Sequence, residues 1–257
     1  PPSMSHSLLD TREADGDLPT TRWSIVRAMG GEATLRQQAL EVFARDYWPA
    51  VYAFARKKGH PPHEAEDLTQ AFLADLIGRE SFGDLSADKG RFRSWLLACL
   101  HNFLRADWRD RRRLKRGGGV DPVSIDRDLG EVWLEQSGAD DLSPDVVFDR
   151  RWAAGILERA LRDVSVDYER EGKLELARVL APMIAGADGR QSYAEAAAEL
   201  GISESNARVA AFRMRKRLRS HVREEVAATV ASPEQVDEEL RELFALFGVR
   251  PPAPPPS

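Results

Sequence analysis

The side chains best suited to chemistry in this 257-residue chain are cationic. Residues 208–223, RVAAFRMRKRLRSHVR, hold seven Arg/Lys and no acid, and residues 105–116, RADWRDRRRLKR, hold seven against two Asp. Guanidinium and ammonium groups at this density bind phosphate, and on a helix that enters a groove they reach base edges. No reacting constellation accompanies them. There is no nucleophile–base pair and no glycine fingerprint, and RGGGV at 116–120 lacks the Lys-Ser/Thr of a phosphate loop. His60, His63, Glu64 and Asp67 match no standard metal-ligand spacing, and Pro61–Pro62 separates the two histidines. The pattern points to a binding protein without cofactor or metal, not to an enzyme.

The basic run 208–223 belongs to YAEAAAELGISESNARVAAFRMRKRLRSHV, residues 193–222, which reads as a helix-turn-helix. Ala196 and Ala197 are small where a second helix must cross closely, and Gly201 permits the positive φ of a tight turn. Ser203 is the expected N-cap of the second helix, with Asn206 where a capping box would place Glu. The early part of such a helix enters the DNA major groove. Here it offers Ser205, Asn206, Arg208, Phe212 and Arg213 to bases, with Arg215, Lys216, Arg217 and Arg219 suited to phosphates. The alternative is a plain helical hairpin with a solvated basic face.

The elements that must position these groups are helical throughout, since no convincing alternating strand occurs. Predicted helices cover Glu32–Tyr47, Pro49–Lys58, a segment opened by Pro61–Pro62 and closed by Gly78, and Phe92–Arg113. Further helices run from Pro144 behind the cap Ser143, then Lys173–Ala185, Ser192–Leu200, Ser203 to about Ala228, and Pro233–Phe247. The net charge of −5 hides segregated blocks: residues 121–149 carry nine acids against Arg127 alone. The expected class is all-α, with two small helical domains at 21–116 and 143–228. An acidic linker, 117–142, joins them, a disordered N-terminus covers 1–20, and an amphipathic helix with a Pro-rich tail fills 229–257. Cys99 is the single cysteine, which excludes an internal disulfide and a cysteine zinc finger. No apolar run approaches the roughly 18 residues of a membrane span, and the N-terminus lacks a signal-peptide pattern, so no membrane role and a cytoplasmic location are expected.

In HPPHEAEDLTQAFLADLIG, residues 60–78, Leu68, Phe72 and Leu76 form a buried stripe. Asp67, Gln70, Ala71 and Ala74 lie on a neighbouring face with Leu73 and Ile77 at its edge, as on a protein-docking surface. Glu64, Glu66 and Asp67 also complement the helix macrodipole, which is the plainer reading. With its Asp-Leu-x-Gln core, the stretch resembles the polymerase-binding segment of bacterial sigma factors of the extracytoplasmic-function group. FRSWLLACLHNFLRADWRDRRR, from Phe92, resembles that family's promoter −10 segment through Phe92, Trp95, Leu96, Asn102 and the basic run. The helix-turn-helix resembles its −35-reading domain, so the likeness spans roughly residues 32–225.

The resemblance implies an alternative sigma factor that directs core RNA polymerase to promoter DNA and opens it. Asp67, Gln70, Phe72, Leu73 and Leu76 would contact the clamp helices of the polymerase β′ subunit. The loop 80–91 and helix 92–113 would hold the −10 element, with Asn102, Arg105, Arg109 and Arg112 near it. The domain from 143 would sit on the β flap, with Ser205, Asn206, Arg208, Phe212, Arg213 and Arg215 at the −35 element, while the acidic linker passes through the polymerase's RNA path. The chain departs from the pattern at Ala71, where the family carries an acid, at His101 before Asn102, and at the apolar Val209, Ala210 and Ala211. An anti-sigma factor is one candidate regulator; a protein kinase is another, because phosphate on Thr69 would add charge inside the docking helix. The C-terminal helix places Val236, Leu240, Leu243, Phe244 and Phe247 on one face, for packing on the second domain or for covering the basic recognition helix. The rival reading is a stand-alone helix-turn-helix transcriptional regulator.

Overall fold

A computed structural model describes residues 33–78, 90–111, 131, 133–135, 141–185 and 191–248. The expectations for residues 1–32, for most of the loop 80–91, for Arg112, for most of the linker and for the Pro-rich tail lie outside these. Among the described residues there is no strand, and the fold is all-α. The helices are α1 (Ala33–Lys57), α2 (Pro62–Gly78), α3 (Phe92–Arg111), α4 (Pro144–Arg170), α5 (Leu174–Ile184), α6 (Tyr193–Leu200), α7 (Glu204–Ala227) and α8 (Val236–Ala245), with a 3₁₀ turn Pro233–Gln235 before α8.

The first helix is the hub. From Tyr47 to Ala55 every residue except Pro49 is buried, and a helix apolar on all sides must be enclosed on all sides. α2, α3 and α4 supply that enclosure through Leu68, Phe72 and Leu76, Phe92, Leu96 and Leu100, and Phe148, Trp152 and Ile156. Trp48 stacks on Tyr52 at 4.6 Å, and Tyr47 stacks on Trp152 at 4.9 Å. This packing also explains a departure from expectation. Pro49 was expected to open a new helix, yet α1 runs unbroken through it. An interior proline costs about 3 kcal/mol, and burial of Tyr47, Trp48, Val51 and Tyr52 around it offsets that.

The 27-residue helix α4 starts as its sequence suggests: Pro144 occupies the first turn and Ser143 Oγ accepts from the Val146 N–H at 3.3 Å. At a rise of 1.5 Å per residue it is a spine of about 40 Å. Its first half, to Ile156, lies in the first core, while Ala160, Val164 and Tyr168 lie in a second core with α5, α6 and α7. The boundary expected at 143 therefore falls at the start of a helix shared by both bundles. The acidic linker is likewise not a free tether along its whole length. Residues 133–135 are helical, and the Glu131 carboxylate accepts a bidentate pair from Arg56, Nε at 2.6 Å and NH2 at 2.8 Å, plus the Tyr52 hydroxyl at 2.5 Å. Burial, followed by the Glu131 hydrogen bond, pushes the Tyr52 hydroxyl well above the usual phenol range, so it stays a donor. Trp133 and Leu134 then pack beside Ala53 and Val147.

The C-terminal helix α8 packs on the first core through Val236 and Leu243, with Leu240 partly buried against it. Its acidic face meets the entrance of α3. Glu239 accepts from Arg93 Nε at 2.9 Å and NH2 at 3.3 Å, Glu242 pairs with both Arg91 and Arg93, and Asp149 of α4 lies 2.7 Å from Arg93 NH1. Arg91 also reaches Glu238 at 3.0 Å. Just before α8, the Thr229 carbonyl accepts the Phe92 N–H at 2.9 Å, satisfying one of the first N–H groups of α3. The acidic face of α8 thus engages Arg91 and Arg93, and Arg213, Lys216 and Arg219 of α7 stay exposed. α8 meets α7 at its far end, where Arg223 pairs with Asp237 at 2.5 Å.

Candidate partner-binding and nucleic-acid surfaces

On α2 the buried stripe is as expected, and the neighbouring face divides sharply. Asp67 and Ala71 are exposed and Gln70 is half-buried, whereas Phe72, Leu73 and Leu76 are buried in the first core. These three expected contacts therefore face the protein's own core, and Phe72 packs on Phe103 of α3 at 5.5 Å. Thr69 is also fully buried, and its hydroxyl donates to the Ala65 carbonyl at 2.6 Å. A kinase has no access to it in this fold.

α3 separates its faces by helical period. Phe92, Leu96 and Leu100 point into the core, with Trp95 packed on Phe92 at 5.2 Å. Ser94, Ala98, Asn102 and Arg105 form the exposed stripe, so the −10 candidates Asn102 and Arg105 share one outward face. Arg109 lies on the helix beyond them, its side chain outside the described residues, as all of Arg112 is. His101, where the family pattern carries arginine, sits 3.1 Å from Asp145 Oδ1 and edge-on to Phe54.

The helix-turn-helix is built as its residues require. Ser192 and Glu195 form a reciprocal capping box, Ser192 N–H donating to Glu195 at 2.6 Å and Ser192 Oγ accepting the Glu195 N–H at 3.2 Å. Gly201 closes α6 with φ +66°, and Ser203 Oγ accepts the Asn206 N–H at 3.2 Å to start α7. Ala196 and Ala197 of α6 and Ala207 and Ala211 of α7 are buried at the crossing. Of the expected −35 contacts, Ser205, Asn206, Arg208, Phe212 and Arg213 are exposed. Arg215 is half-buried, donating to the Tyr193 hydroxyl at 2.6 Å, and Arg208 lies over the Tyr193 ring and pairs with Glu204. Ala210 and Ala211 turn inward, so Val209 is the apolar departure that reaches solvent.

The sequence reading missed the Arg91–Arg93–Glu239–Glu242–Asp149 cluster and the Glu131 clamp. The only hint was the alternation of signed blocks, which names the charges without pairing them.

Residues 43–114 match the family model for Sigma-70 region 2, a span running from within α1 through α2 and α3. The match likens these residues to one region of sigma-70 factors, non-enzymatic proteins of transcription initiation, and it supports a role of that kind. The helix-turn-helix lies outside the matched residues. No curated protein and no solved structure matches the chain. Among the described residues, no helix is long and apolar enough to cross a membrane.

Proposed function

We propose that the chain is an alternative sigma factor of the extracytoplasmic-function type, recruiting core RNA polymerase to a small set of promoters through −10 and −35 recognition. The observation that carries this is the α2–α3 unit inside the Sigma-70 region 2 match: one core presents an acidic-polar face at Asp67, Gln70 and Ala71 and a separate polar-to-basic stripe at Asn102 and Arg105. The first suits the β′ clamp helices and the second suits the −10 element. The exposed basic side of α7 suits a −35 duplex, and the remainder of the second bundle would rest on the β flap. The α3 stripe supplies amide and guanidinium donors, so its part is binding and strand separation, with no covalent step.

Purified chain and core polymerase in a transcription assay test this reading. Transcription from candidate promoters should require the chain, and Asp67→Arg combined with Gln70→Ala should weaken core binding at least tenfold while leaving duplex binding intact. Chain-independent transcription, or unchanged core binding by that variant, would leave a stand-alone regulator as the better account. A regulator of that kind would bind as a dimer to two half-sites about one helical turn apart.

A further inference from the structure

The exposed side of α7 contains an apolar pair set among cations. Ser205, Val209, Phe212, Lys216 and Arg219 follow one another at spacings of four and three, so they form one stripe, and all are exposed. Val209 is 47% and Phe212 64% exposed, and on the inward side Ala207, Ala211, Met214 and Leu218 are buried. The helix is therefore anchored in a fixed rotation, and the apolar pair is not the product of a frayed end. Single exposed apolar residues are common, so the setting decides. Among the described residues Arg213, Lys216 and Arg219 have no acidic partner, whereas Arg208, Arg217 and Arg223 are paired with Glu204, Glu171 and Asp237. Unneutralised cations running on from an apolar pair fit a polyanion that also displays apolar groups.

DNA is such a surface: thymine places its C5 methyl in the major groove, and Phe and other apolar side chains read it by contact. From Glu204 to Phe212 the helix rises about 12 Å, comparable with the groove width of about 12 Å. Val209 and Phe212 fall within that reach, and Lys216 and Arg219 lie beyond it toward phosphates. We infer that Val209 and Phe212 read thymine in the −35 element, each covering a C5 methyl group, so that these positions are specified by methyl contact and not by hydrogen bonding. This rests on the helix-turn-helix binding DNA as proposed above.

The full chain, alone and with core polymerase, would be used to select duplexes from a randomised pool, and thymines in the selected −35 site would be replaced one by one with deoxyuridine, which lacks only the methyl. Two neighbouring replacements should each weaken binding about fourfold, the value of one buried methyl. Phe212→Ala should abolish the penalty at one of these positions and Val209→Ala at the other; both residues are exposed, and unchanged Tm values would show the fold intact. Deoxyuridine bound as tightly as thymine within a selected site, or a penalty that survives Phe212→Ala, overturns the inference while leaving DNA binding standing. Phe212→Ala that weakens core-polymerase binding and leaves the deoxyuridine penalty unchanged overturns it in favour of a protein contact. If no sequence is selected and Arg213→Ala with Lys216→Ala leaves duplex affinity unchanged, the DNA-binding reading itself fails, and the inference with it.

Discussion

Replacing Arg93 with Met should cost more stability than any single surface change in this chain. The Arg93 side chain is buried, and its guanidinium is shared by Asp149, Glu239 and Glu242. Glu239 is itself fully buried, so removing the cation strands a carboxylate that water does not reach. Breaking a buried pair from one side typically costs 3–5 kcal/mol, roughly; Arg91 still lies 3.3 Å from Glu239, which favours the lower end, about 3 kcal/mol. At about 2–4 °C per kcal/mol for a chain of this size, Tm should fall by about 6–12 °C. The pH dependence follows from burial, which already raises the Asp149 carboxyl above its usual range, opposed by Arg93. A carboxyl raised in the folded state costs stability above its folded pKa and is relieved as pH falls through it. Without Arg93 that relief must grow, so the deficit of Arg93→Met should shrink between pH 7.5 and pH 5. Differential scanning fluorimetry at both values measures it, and adding Glu239→Leu should recover much of the loss by removing the stranded charge. A Tm within 2 °C of the parent at pH 7.5, or a deficit that widens on acidification, would refute the reasoning.

Three further outcomes follow from local geometry. Gly201→Ala should destabilise by about 1–2 kcal/mol, because φ is +66° and the space around a Cβ there is open, which leaves backbone strain as the whole effect; Gly201→Asn should cost less in the same thermal melt. His221 is pulled both ways: burial opposes its cation, but the hydrogen bond to Asp167 and the charges of Asp167, Glu224 and Asp163 outweigh it and raise its pKa above the ordinary range. That stabilisation is full below about pH 6.5 and lost as pH rises through the folded value, so His221→Gln should lower Tm more at pH 6 than at pH 8.5. Thr69→Val, which removes the hydroxyl bonded to Ala65, should cost about 1 kcal/mol and leave transcription intact, whereas Thr69→Asp should unfold the first bundle by burying a carboxylate, a distinction that circular dichroism resolves.

Much of the fold was legible because it is written in short-range chemistry. Ser143 before Pro144, Gly201 after Leu200 and Ser203 before Glu204 each satisfy or permit a backbone group within four residues, so their types alone marked helix ends. The four-residue recurrence of Leu68, Phe72 and Leu76 likewise reported a buried face, because that spacing is nearly one helical turn. Pro49 was misread for the complementary reason: local propensity argues for a break, and only the enclosure of α1 by three other helices overrides it. The inward turn of Leu73 was hidden for a similar reason. Leu73 lies near the boundary between two faces, and its burial depends on how the neighbouring helices of the first core pack, which no periodicity reports.

The sequence by itself determined the all-α class, the helix-turn-helix with its capped second helix, and the polar composition of the α2 and α3 faces, since each depends on residues within one or two turns of one another. Tertiary structure alone decided that α4 belongs to both bundles, that Glu131 fastens part of the acidic linker to α1, and that the acidic C-terminal helix closes on Arg91 and Arg93. Coulomb attraction depends on distance in space and is indifferent to separation along the chain. Arg93 could have met any of the chain's 42 acids, and the packing of Val236 and Leu243 on the first core is what brings Glu239 to it.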